Sequence, residues 1–258
     1  MNKTALITGA SSGIGLAFAK LFAQKNYNLV LVSQSESNLK MAEIEVRKVH
    51  QKNRILTISK DLSQPSSPLE VYQLVKENSL TVDILVNNAG IQIYGNFHEV
   101  PLEDMERLML LNMNSLVKMT HLFLTDMILQ KSGKILNVGS TGSFQPCPLN
   151  AVYCATKGFV LYFSEGIGEE LKGTGVTVTA LCPGATDSNF AKRGNMIGTK
   201  LFSGKLQAAD TVAEIGYKAL MKGKPVVMTS LADKLTAFSV RLMPRSLVTK
   251  LGMQMLKK

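Results

Sequence analysis

Three side chains near the middle of the chain are of types that can carry out acid–base chemistry together. Tyr153 and Lys157 are four residues apart, so on a helix they lie on one face, one turn above the other. Ser140 follows the apolar run from Lys134 to Gly139, which is typical of a buried strand. A loop over residues 141–150 would bring Ser140 back to face Tyr153, and a hydroxyl, a phenol and an ammonium group would then share one pocket.

The lysine would act through the ionisation of the phenol. An unperturbed tyrosine has a pKa of about 10. A neighbouring cation favours phenolate, so we expect Lys157 to lower the pKa of Tyr153 toward neutrality, where the phenol can exchange a proton with a substrate oxygen. The same spacing also occurs by chance on exposed helices, so the pair predicts chemistry only together with other motifs.

Length and composition are typical of one globular domain. The chain has 258 residues, of which 45% are hydrophobic and 19% charged, so it can bury one large core. We interpret residues 1–258 as a single domain. No apolar run reaches the ~18 residues of a membrane-spanning helix, and the N-terminus enters a strand pattern without the apolar core of a signal peptide.

The cysteines and histidines indicate a reducing compartment and no metal. An odd number of cysteines suits the cytoplasm, so we predict a cytoplasmic protein without a metal site. No spacing typical of metal ligands or of a catalytic triad occurs among these residues, which are Cys147, Cys154, Cys182, His50, His98 and His121.

The chain is basic, with 29 lysines and arginines, 19 aspartates and glutamates, and a net charge of +10. Such a charge is typical of proteins that bind nucleic acid or anionic lipid, but it also suits a phosphate-rich cofactor. No helix-turn-helix, zinc-finger or RNA-binding aromatic motif accompanies it. We therefore predict no nucleic-acid partner.

Strand-like and helix-like runs alternate along the chain. Several strands are apolar throughout, which is the mark of a parallel sheet covered by helices on both faces. We predict an α/β fold, a Rossmann-type doubly wound parallel sheet of about seven strands. The predicted strands are 3–8, 28–33, 54–59, 82–86, 134–140, 176–182 and 225–228, and the predicted helices are 13–25, 36–51, 67–77, 103–131, 150–173 and 209–222.

A glycine-rich turn follows the first strand, over residues 8–15, and opens a helix. Gly9 permits a sharp turn, Gly13 lets the backbone approach a ligand, and Gly15 lets the helix pack closely on the sheet. The helix N-terminus offers free N–H groups and a positive dipole to a pyrophosphate. After the first strand of such a series, the turn is fairly specific for a dinucleotide.

With the Tyr153/Lys157 pair, this turn and further motifs resemble those of the short-chain dehydrogenase/reductase family. The glycines have the spacing Gly-x-x-x-Gly-x-Gly, and Ser140 precedes Tyr153 by 13 residues. The matches cover residues 4 to about 190. The other matching positions are Asp61-Leu62 after the third strand, Asn87-Asn88-Ala89-Gly90 after the fourth, Asn112 in the long helix and Pro183-Gly184-Ala185-Thr186 after the sixth.

The resemblance implies a Rossmann-type fold and NAD(P)-dependent oxidoreduction. It implies that Asn112, Ser140, Tyr153 and Lys157 are catalytic, with Asn112 bending its helix and holding a water that relays protons to Lys157. Asn87 and Asn88 are of a residue type that bonds the backbone of turns. Cofactor contacts are implied for Gly9, Ser11, Ser12, Gly13, Ile14, Gly15, Ser33, Gln34, Asp61, Leu62, Asn88, Ala89, Gly90, Tyr153, Lys157, Pro183, Gly184 and Thr186.

The end of the second strand bears on the choice between NAD and NADP. An acid there would bind the ribose hydroxyls of NAD and repel a 2′-phosphate, but the chain has Ser33, Gln34 and Ser35. Relatives that prefer NADP often carry a base at the positions of Gln34 or Ser12, and this chain does not. Ser33 and Ser35 can donate hydrogen bonds to a phosphate, and the net charge attracts it, so we favour NADP.

We predict the interconversion of a carbonyl and an alcohol. Ser140 and Tyr153 would bind the substrate oxygen, and Tyr153 would transfer the proton. One alternative is a relative of the sugar epimerases, which have a different glycine spacing and a longer C-terminal sugar domain. Another is a redox sensor or scaffold that binds NADPH without turnover, which an intact Ser, Tyr, Lys and Asn set disfavours.

The substrate pocket is expected along residues 91–97, 144–149 and 186–207. The last of these segments is interpreted as a mobile lid, because it contains Gly194, Gly198 and Gly204. Apolar walls favour an aliphatic, aromatic or acyl-type carbonyl. The expected wall residues are Tyr94, Phe97, Phe144, Phe190, Met196, Ile197, Leu201 and Phe202, with Lys192 and Arg193 nearby.

Two segments are expected to make further contacts. Helix 150–173 is apolar over much of its circumference and must be covered on more than one side. By resemblance, it and helix 103–131 pair with their copies in a homodimer or homotetramer. Residues 231–258 predict two helical pieces separated by Pro244, a basic extension that either covers the pocket or an oligomer seam, or contacts an anionic membrane as a peripheral surface.

Overall fold

A computed structural model describes residues 2–204 and 206–258 of the chain. Met1 and Lys205, the second of which falls within the predicted lid, lie outside the described residues. Seven strands form one parallel sheet with helices on both faces. The predicted fold class is therefore confirmed.

The first half of the sheet is built by strands and helices that alternate strictly. These elements begin and end close to the predicted positions, because each apolar run is bounded by turn residues. They are β1 (Thr4–Thr8), α1 (Gly13–Gln24), β2 (Asn28–Ser33), α2 (Glu36–Val49), β3 (Ile55–Ser59) and α3 (Ser67–Glu77).

The second half continues the alternation and then adds two helices at the C-terminus. Its larger elements are β4 (Ile84–Asn87), α4 (Leu102–Met109), α5 (Ser115–Leu129), β5 (Gly133–Val138), α6 (Ala151–Glu170) and β6 (Val176–Cys182). After these come β7 (Thr186–Asp187), α7 (Asn189–Arg193), α8 (Lys200–Ser203), β8 (Gln207–Ala208), α9 (Ala209–Met221), β9 (Val226–Met228), α10 (Leu231–Leu242) and α11 (Arg245–Leu256).

The strand order is β3-β2-β1-β4-β5-β6-β9. The central strand β1 pairs in parallel with strands on both sides, so that Ala5 faces Leu29 of β2 and Ile84 of β4. The direction in which the sheet grows reverses between β1 and β4. In open sheets of this type, a ligand crevice lies beyond the carboxyl ends of the strands at such a reversal.

The core lies on both faces of the sheet. Side chains alternate along β2, so Leu29 and Leu31 pack against Phe18 and Phe22 of α1 on one face. Val30 belongs to the cluster on the other face, with the α5 residues Met119 and Phe123. Burial on both faces explains why the strand sequences are apolar throughout.

Three of the differences from the predicted elements lie close to the predicted site residues. The long helix is interrupted by a π-helical turn, Leu110–Asn114, which separates α4 from α5. The fifth strand ends at Val138, two residues earlier than predicted. A second, two-stranded sheet pairs Thr186 with Gln207, so the chain leaves and returns to the same place on either side of α7 and α8.

Across the described part of the chain, we find no helix with the length and hydropathy required to cross a bilayer.

Candidate active site

Ser140, Tyr153 and Lys157 line one cavity of about 690 Å³ at the carboxyl ends of the strands. Helix α6 places Tyr153 and Lys157 one turn apart, and the Lys157 Nζ atom is 5.7 Å from the centroid of the Tyr153 ring. The segment between β5 and α6 turns back and brings Ser140 to the same cavity. The three groups that the sequence selects are thus brought together.

Ser140 sits at the start of a short 3₁₀ turn, Thr141–Phe144, and caps it. Its Oγ atom accepts the Gly142 N–H at 3.0 Å, and its own N–H donates to the Ser143 Oγ atom at 3.2 Å. This capping box fixes the side chain. The hydroxyl also has one proton of its own, which it can donate to a group in the cavity.

Lys157 is buried and points along the end of β5. Its Nζ atom donates to the Val138 carbonyl oxygen at 2.7 Å. Burial lowers the pKa of the Lys157 ammonium from 10.5 to about 8, because desolvation penalises the charged form. The amine therefore titrates much closer to neutral pH than an exposed lysine does.

The pKa of Tyr153 shifts against the prediction. Burial raises the pKa of the phenol well above its ordinary value, the Cys154 thiol adds to this, and the Ser140 hydroxyl opposes it by hydrogen bonding. Desolvation outweighs any effect of Lys157, whose own charge is also disfavoured by burial. The predicted lowering is therefore wrong for the chain by itself, since residue spacing says nothing about burial.

Asn112 is buried one layer behind the cavity, within the π-helical turn. Its Oδ1 atom accepts the Ile91 N–H at 3.0 Å, and its Nδ2 group donates to the Ile91 carbonyl at 2.9 Å and to Thr156 Oγ1 at 3.1 Å. The side chain thereby ties the long helix to the turn after β4. A Cβ atom on Gly90 would lie 3.1 Å from the Asn112 Oδ1 atom and 3.7 Å from the Lys157 Nζ atom.

The glycine-rich turn has the geometry that its sequence predicts. Gly9 and Gly13 have φ angles of +65° and +55°, which L side chains rarely adopt. A Cβ atom on Gly15 would lie 2.2 Å from the Gly9 carbonyl oxygen, so this glycine permits close packing inside the turn. Asn88, directly after the neighbouring strand β4, holds the turn in place, because its Nδ2 group donates to the Thr8 carbonyl at 2.9 Å.

Asn87 differs from its neighbour Asn88. Its Nδ2 group donates to Thr120 Oγ1 at 3.0 Å and to Asn137 Oδ1 at 2.9 Å. The residue is the last of β4 and is buried. It thus links side chains of β4, α5 and β5, and the expectation that it satisfies the backbone of the turn is wrong.

Polar groups at the ends of β2 and β3 form the far end of the cavity. The Ser11 and Ser33 Oγ atoms are 2.8 Å apart, and the Gln34 Nε2 group donates to Asp61 Oδ2 at 2.9 Å. Arg107 of α4 reaches the same place, with its Nη2 group 3.2 Å from Gln34 Oε1 and 3.4 Å from Asp61 Oδ2. Sequence reasoning missed Arg107, because this arginine lies 73 residues from Gln34 in the chain.

The residues predicted to hold the cofactor lie almost all along this cavity. Gly15 is the exception, because it packs inside the turn behind the cavity wall. The glycine cradle, the open N-terminal turn of α1 and the polar groups at its far end fit a dinucleotide. The predicted residues that line the cavity are Gly9, Ser11, Ser12, Gly13, Ile14, Ser33, Gln34, Asp61, Leu62, Asn88, Ala89, Gly90, Tyr153, Lys157, Pro183, Gly184 and Thr186.

The expected substrate wall is only partly present. Phe190, Arg193, Met196, Leu201 and Phe202 line the cavity, and the Phe190 ring centroid is 5.9 Å from that of Tyr153. Ile91, Gln92, Gln145 and Cys147 of the other two expected segments line it as well. Further wall comes from the C-terminal helices, which the sequence offered only as one of two interpretations. Their lining residues include Thr236, Ser239, Val240, Met243, Val248, Leu251 and Met255.

The other expected wall residues have different roles. The Tyr94 hydroxyl donates to the Leu256 carbonyl oxygen at 2.6 Å and anchors α11. Phe144 packs beside the sheet edge with Leu161 and Met228. The rest are exposed at the surface, namely Phe97, Lys192 and Ile197.

The segment between β7 and β8 lies over the glycine-rich turn. The Arg193 Nη2 group donates to the Ser12 Oγ atom at 3.1 Å, and a Cβ atom on Gly13 would lie 3.1 Å from the Ser188 Cβ atom. Gly194 packs against Gln92, since a Cβ atom there would lie 2.3 Å from the Gln92 Cγ atom. Gly194 thus serves close packing in this arrangement.

No group of three or more histidine, cysteine, aspartate or glutamate side chains that could hold a metal ion occurs among the residues that the structure describes. The three cysteines are buried thiols.

The family model described as short chain dehydrogenase matches residues 3–196. The ketoacyl reductase HetN of Nostoc sp. is 30% identical over 221 residues, which cover 84% of this chain and 75% of that protein. A very-long-chain 3-oxoacyl-CoA reductase of Phaeosphaeria nodorum is 37% identical over 179 residues, covering 67% of this chain and 52% of that longer protein.

A solved structure leads to the same family. A short-chain dehydrogenase from Sphingobium yanoikuyae in complex with NADPH superposes with a TM-score of 0.83 at 29% identity, covering 93% of each chain. The chain belongs to the short-chain dehydrogenase/reductase family, as its motifs predict. It is an NAD(P)-dependent oxidoreductase that acts on CH–OH or C=O groups.

Proposed function

We propose that the chain is an NADP(H)-dependent carbonyl reductase or alcohol dehydrogenase in which Tyr153 is the general acid and base. The observation that supports it most is that Ser140, Tyr153 and Lys157 line the same cavity as the glycine-rich turn. A substrate oxygen between Ser140 and Tyr153 would therefore lie beside the dinucleotide crevice. The cofactor, when bound, supplies the hydride.

Ser140 and Tyr153 bind the substrate oxygen. The fixed Ser140 hydroxyl donates a hydrogen bond to it and stabilises the negative charge that develops during reduction. Burial keeps the Tyr153 phenol protonated in the chain, which suits a group that must give its proton to an alkoxide. In the oxidative direction, the same phenol must lose its proton before it can take one.

Lys157 and Asn112 support Tyr153. A charged Lys157 beside the phenol stabilises the phenolate that remains after proton transfer. Its pKa of about 8 lets the amine give up a proton near physiological pH. Asn112 holds the π-helical turn against Ile91 and so positions the wall of the cavity next to Lys157. In this proposal, Asn112 also holds a water that relays protons to Lys157.

The choice of NADP over NAD is supported by the groups around Ser33. The end of β2 carries no acid that would repel a 2′-phosphate. Ser11 and Ser33 offer hydroxyls, and Arg107 adds positive charge next to Gln34 and Asp61. The chain's net charge of +10 is also positive and attracts a phosphate group.

An acyl-type ketone is the substrate class that we favour. The cavity wall near Tyr153 is apolar, with Phe190, Met196, Leu201 and Phe202, which suits an aliphatic chain. Two relatives carry the names ketoacyl reductase and very-long-chain 3-oxoacyl-CoA reductase. We place the enzyme in the cytoplasm, a reducing compartment that suits its three buried free thiols. We propose that it is a homodimer or homotetramer.

The competing function is that of a sensor or scaffold that binds NADPH without turnover. Purified protein is given NADPH or NADH together with 3-oxoacyl thioesters, aliphatic ketones and aromatic ketones, and absorbance of the reduced cofactor is followed. We expect oxidation of NADPH with at least one acyl-type ketone. Tight NADPH binding without turnover on every carbonyl would support the sensor instead.

A further inference from the structure

Helix α10 turns three polar side chains and Val240 toward the cavity, buries the small Ala237, and leaves its four largest apolar side chains at the surface. Asp233, Thr236 and Ser239 line the cavity. The Asp233 carboxylate accepts hydrogen bonds from Gln207 at 2.9 Å and from Thr229 at 3.3 Å. The usual surface helix instead turns its large apolar side chains to the core.

The outward side of α10 carries a continuous apolar ridge. Leu231, Leu235, Phe238 and Leu242 follow one another at intervals of four, three and four residues, and they are between 59% and 73% exposed. Single exposed apolar residues are ordinary on protein surfaces, but a contiguous ridge is typical of an interaction site.

Cations flank this ridge. Lys234 and Arg241 are seven residues apart, so they lie on one side of α10, and both are exposed. Residues 234–258 contain no acidic side chain, and Arg245 and Lys250 add further positive charge on α11. An exposed apolar ridge with cations beside it combines the two attractions that hold a helix at an anionic bilayer surface.

We propose that the outer face of α10 docks on an anionic lipid membrane, with the apolar ridge in the headgroup boundary and Lys234 and Arg241 at the lipid phosphates. A second copy of the chain fits this face less well. A symmetric contact would place Lys234 and Arg241 near the same residues of the copy, with no carboxylate nearby to neutralise them.

Helix α10 and its neighbour α11 both form part of the cavity wall. Leu251 and Met255 of α11 line the cavity and are at the same time 42% and 48% exposed, so the cavity has an apolar rim. A bilayer bound at α10 would bring apolar carbonyl compounds close to this rim. The docking itself does not depend on the catalytic roles proposed above.

Vesicle flotation tests the proposal with the full chain. Phosphatidylcholine vesicles are compared with vesicles that also contain phosphatidylglycerol, at low and high salt. We expect binding only to the anionic vesicles, weakened by salt. The pair Leu235→Gln and Phe238→Gln should reduce the partition coefficient about tenfold or more. Lys234→Gln and Arg241→Gln should each reduce it about fivefold.

Exposed apolar residues on α2 provide the matched control. Met41 and Ile44 are 60% and 49% exposed, and changing both to Gln should leave binding unchanged. Thermal unfolding checks that each variant is folded. The proposal is overturned if the wild-type chain ignores anionic vesicles at low salt, or if the α2 variant loses binding as much as the α10 variant. A dimer mass in light scattering that only the α10 variant reduces, without vesicle binding, would assign the face to a second copy.

Discussion

At the scale of single residues, Tyr153 is the most direct test of the proposed chemistry. Tyr153→Phe keeps the ring beside Phe190 but removes the group that transfers the proton. We expect kcat to fall about 10²–10⁴-fold, which is the usual contribution of general acid–base catalysis. NADPH binding, measured by fluorescence titration, should stay within a few-fold. A variant that retained most of its kcat would remove Tyr153 from the mechanism.

Ser33 tests the choice of cofactor. Its hydroxyl is 2.8 Å from that of Ser11, at the far end of the cavity. A carboxylate in Ser33→Asp would repel a 2′-phosphate, so the ratio of kcat/KM for NADPH over NADH should fall from above one to below one. Ser35→Ala, which removes a neighbouring hydroxyl without adding charge, should lower the ratio without reversing it. Equal or better use of NADH by the wild-type chain would contradict the proposed preference.

Arg107 makes a separate prediction at the same end of the cavity. Its guanidinium is next to Gln34 and Asp61, so Arg107→Ala should lower kcat/KM for NADPH about fivefold, as expected for a charge-assisted contact at an exposed site. The effect with NADH should be smaller. Lys118, a half-buried cation on α5 that donates to the Pro65 carbonyl, supplies the control variant Lys118→Ala. Equal losses with both cofactors would mean that Arg107 supports the adenine end without sensing the phosphate.

The buried Lys157 predicts a pH dependence of stability. Its pKa is about 8 in the folded chain and 10.5 unperturbed, so between these values the unfolded chain binds more protons and stability rises with pH. Relative to Lys157→Met, the wild-type free energy of unfolding should rise by up to about 3 kcal/mol over this window. Tyr153 acts oppositely, since its raised pKa makes stability fall above its ordinary value of 10.

Urea unfolding from pH 7 to pH 10 measures this difference and stays below the range in which Tyr153 ionises. Lys131→Met, at the end of α5 and exposed, controls for the loss of a lysine as such. Parallel curves for the wild-type chain and Lys157→Met would show that the ammonium is not desolvated in the folded chain.

At the scale of elements, α6 carries both the site and a face available to a second copy. Val160 and Leu161 are buried, whereas Ala155, Phe159 and Tyr162 are exposed on the outer side. The Phe159 ring stacks on that of Phe163 with centroids 5.8 Å apart. The sequence predicts that this helix is covered on more than one side. Within the chain, only one side is covered, so we propose that a second copy covers the other in a dimer.

The combined variant Phe159→Glu and Tyr162→Glu tests that dimer. Charges in an apolar interface should raise the dimer dissociation constant about a hundredfold or more, which light scattering at micromolar concentration would register as a monomer mass. Ile44→Glu on α2 is the control. A monomeric wild-type chain would contradict the proposal, and so would a dimer that the α6 variant leaves intact.

At the scale of the whole molecule, the sequence predicts the sheet well and the site in part. Strands such as Asn28–Ser33 are recognisable because burial on both faces leaves them apolar throughout, with turn residues at each end. The glycine-rich turn and the Tyr153/Lys157 pair are equally local. Their spacing alone defines their geometry, and the structure has that geometry.

The features that the sequence does not predict depend on distant packing. Arg107 meets Gln34 across 73 residues, and Arg193 meets Ser12 across 181. The raised pKa of Tyr153 results from burial, which spacing does not contain. For the C-terminal segment, the sequence alone left open whether it covers the pocket or an oligomer seam, or contacts a membrane. In the structure, α10 and α11 line the cavity.

The position of β1 at the centre of the sheet has a consequence for the order of folding. During synthesis β1 can pair with β2 early, but its other neighbour β4 begins 76 residues after β1 ends. The hydrogen bond from the Thr4 N–H to the Asp83 carboxylate, at 2.7 Å, closes that long loop. Because loop closure must precede such contacts, folding is expected to be slow for the size of the chain. The crevice beside Gly9 forms only when β4 arrives, so a nascent chain that ends before β4 has the glycine-rich turn without the strand that completes its binding site.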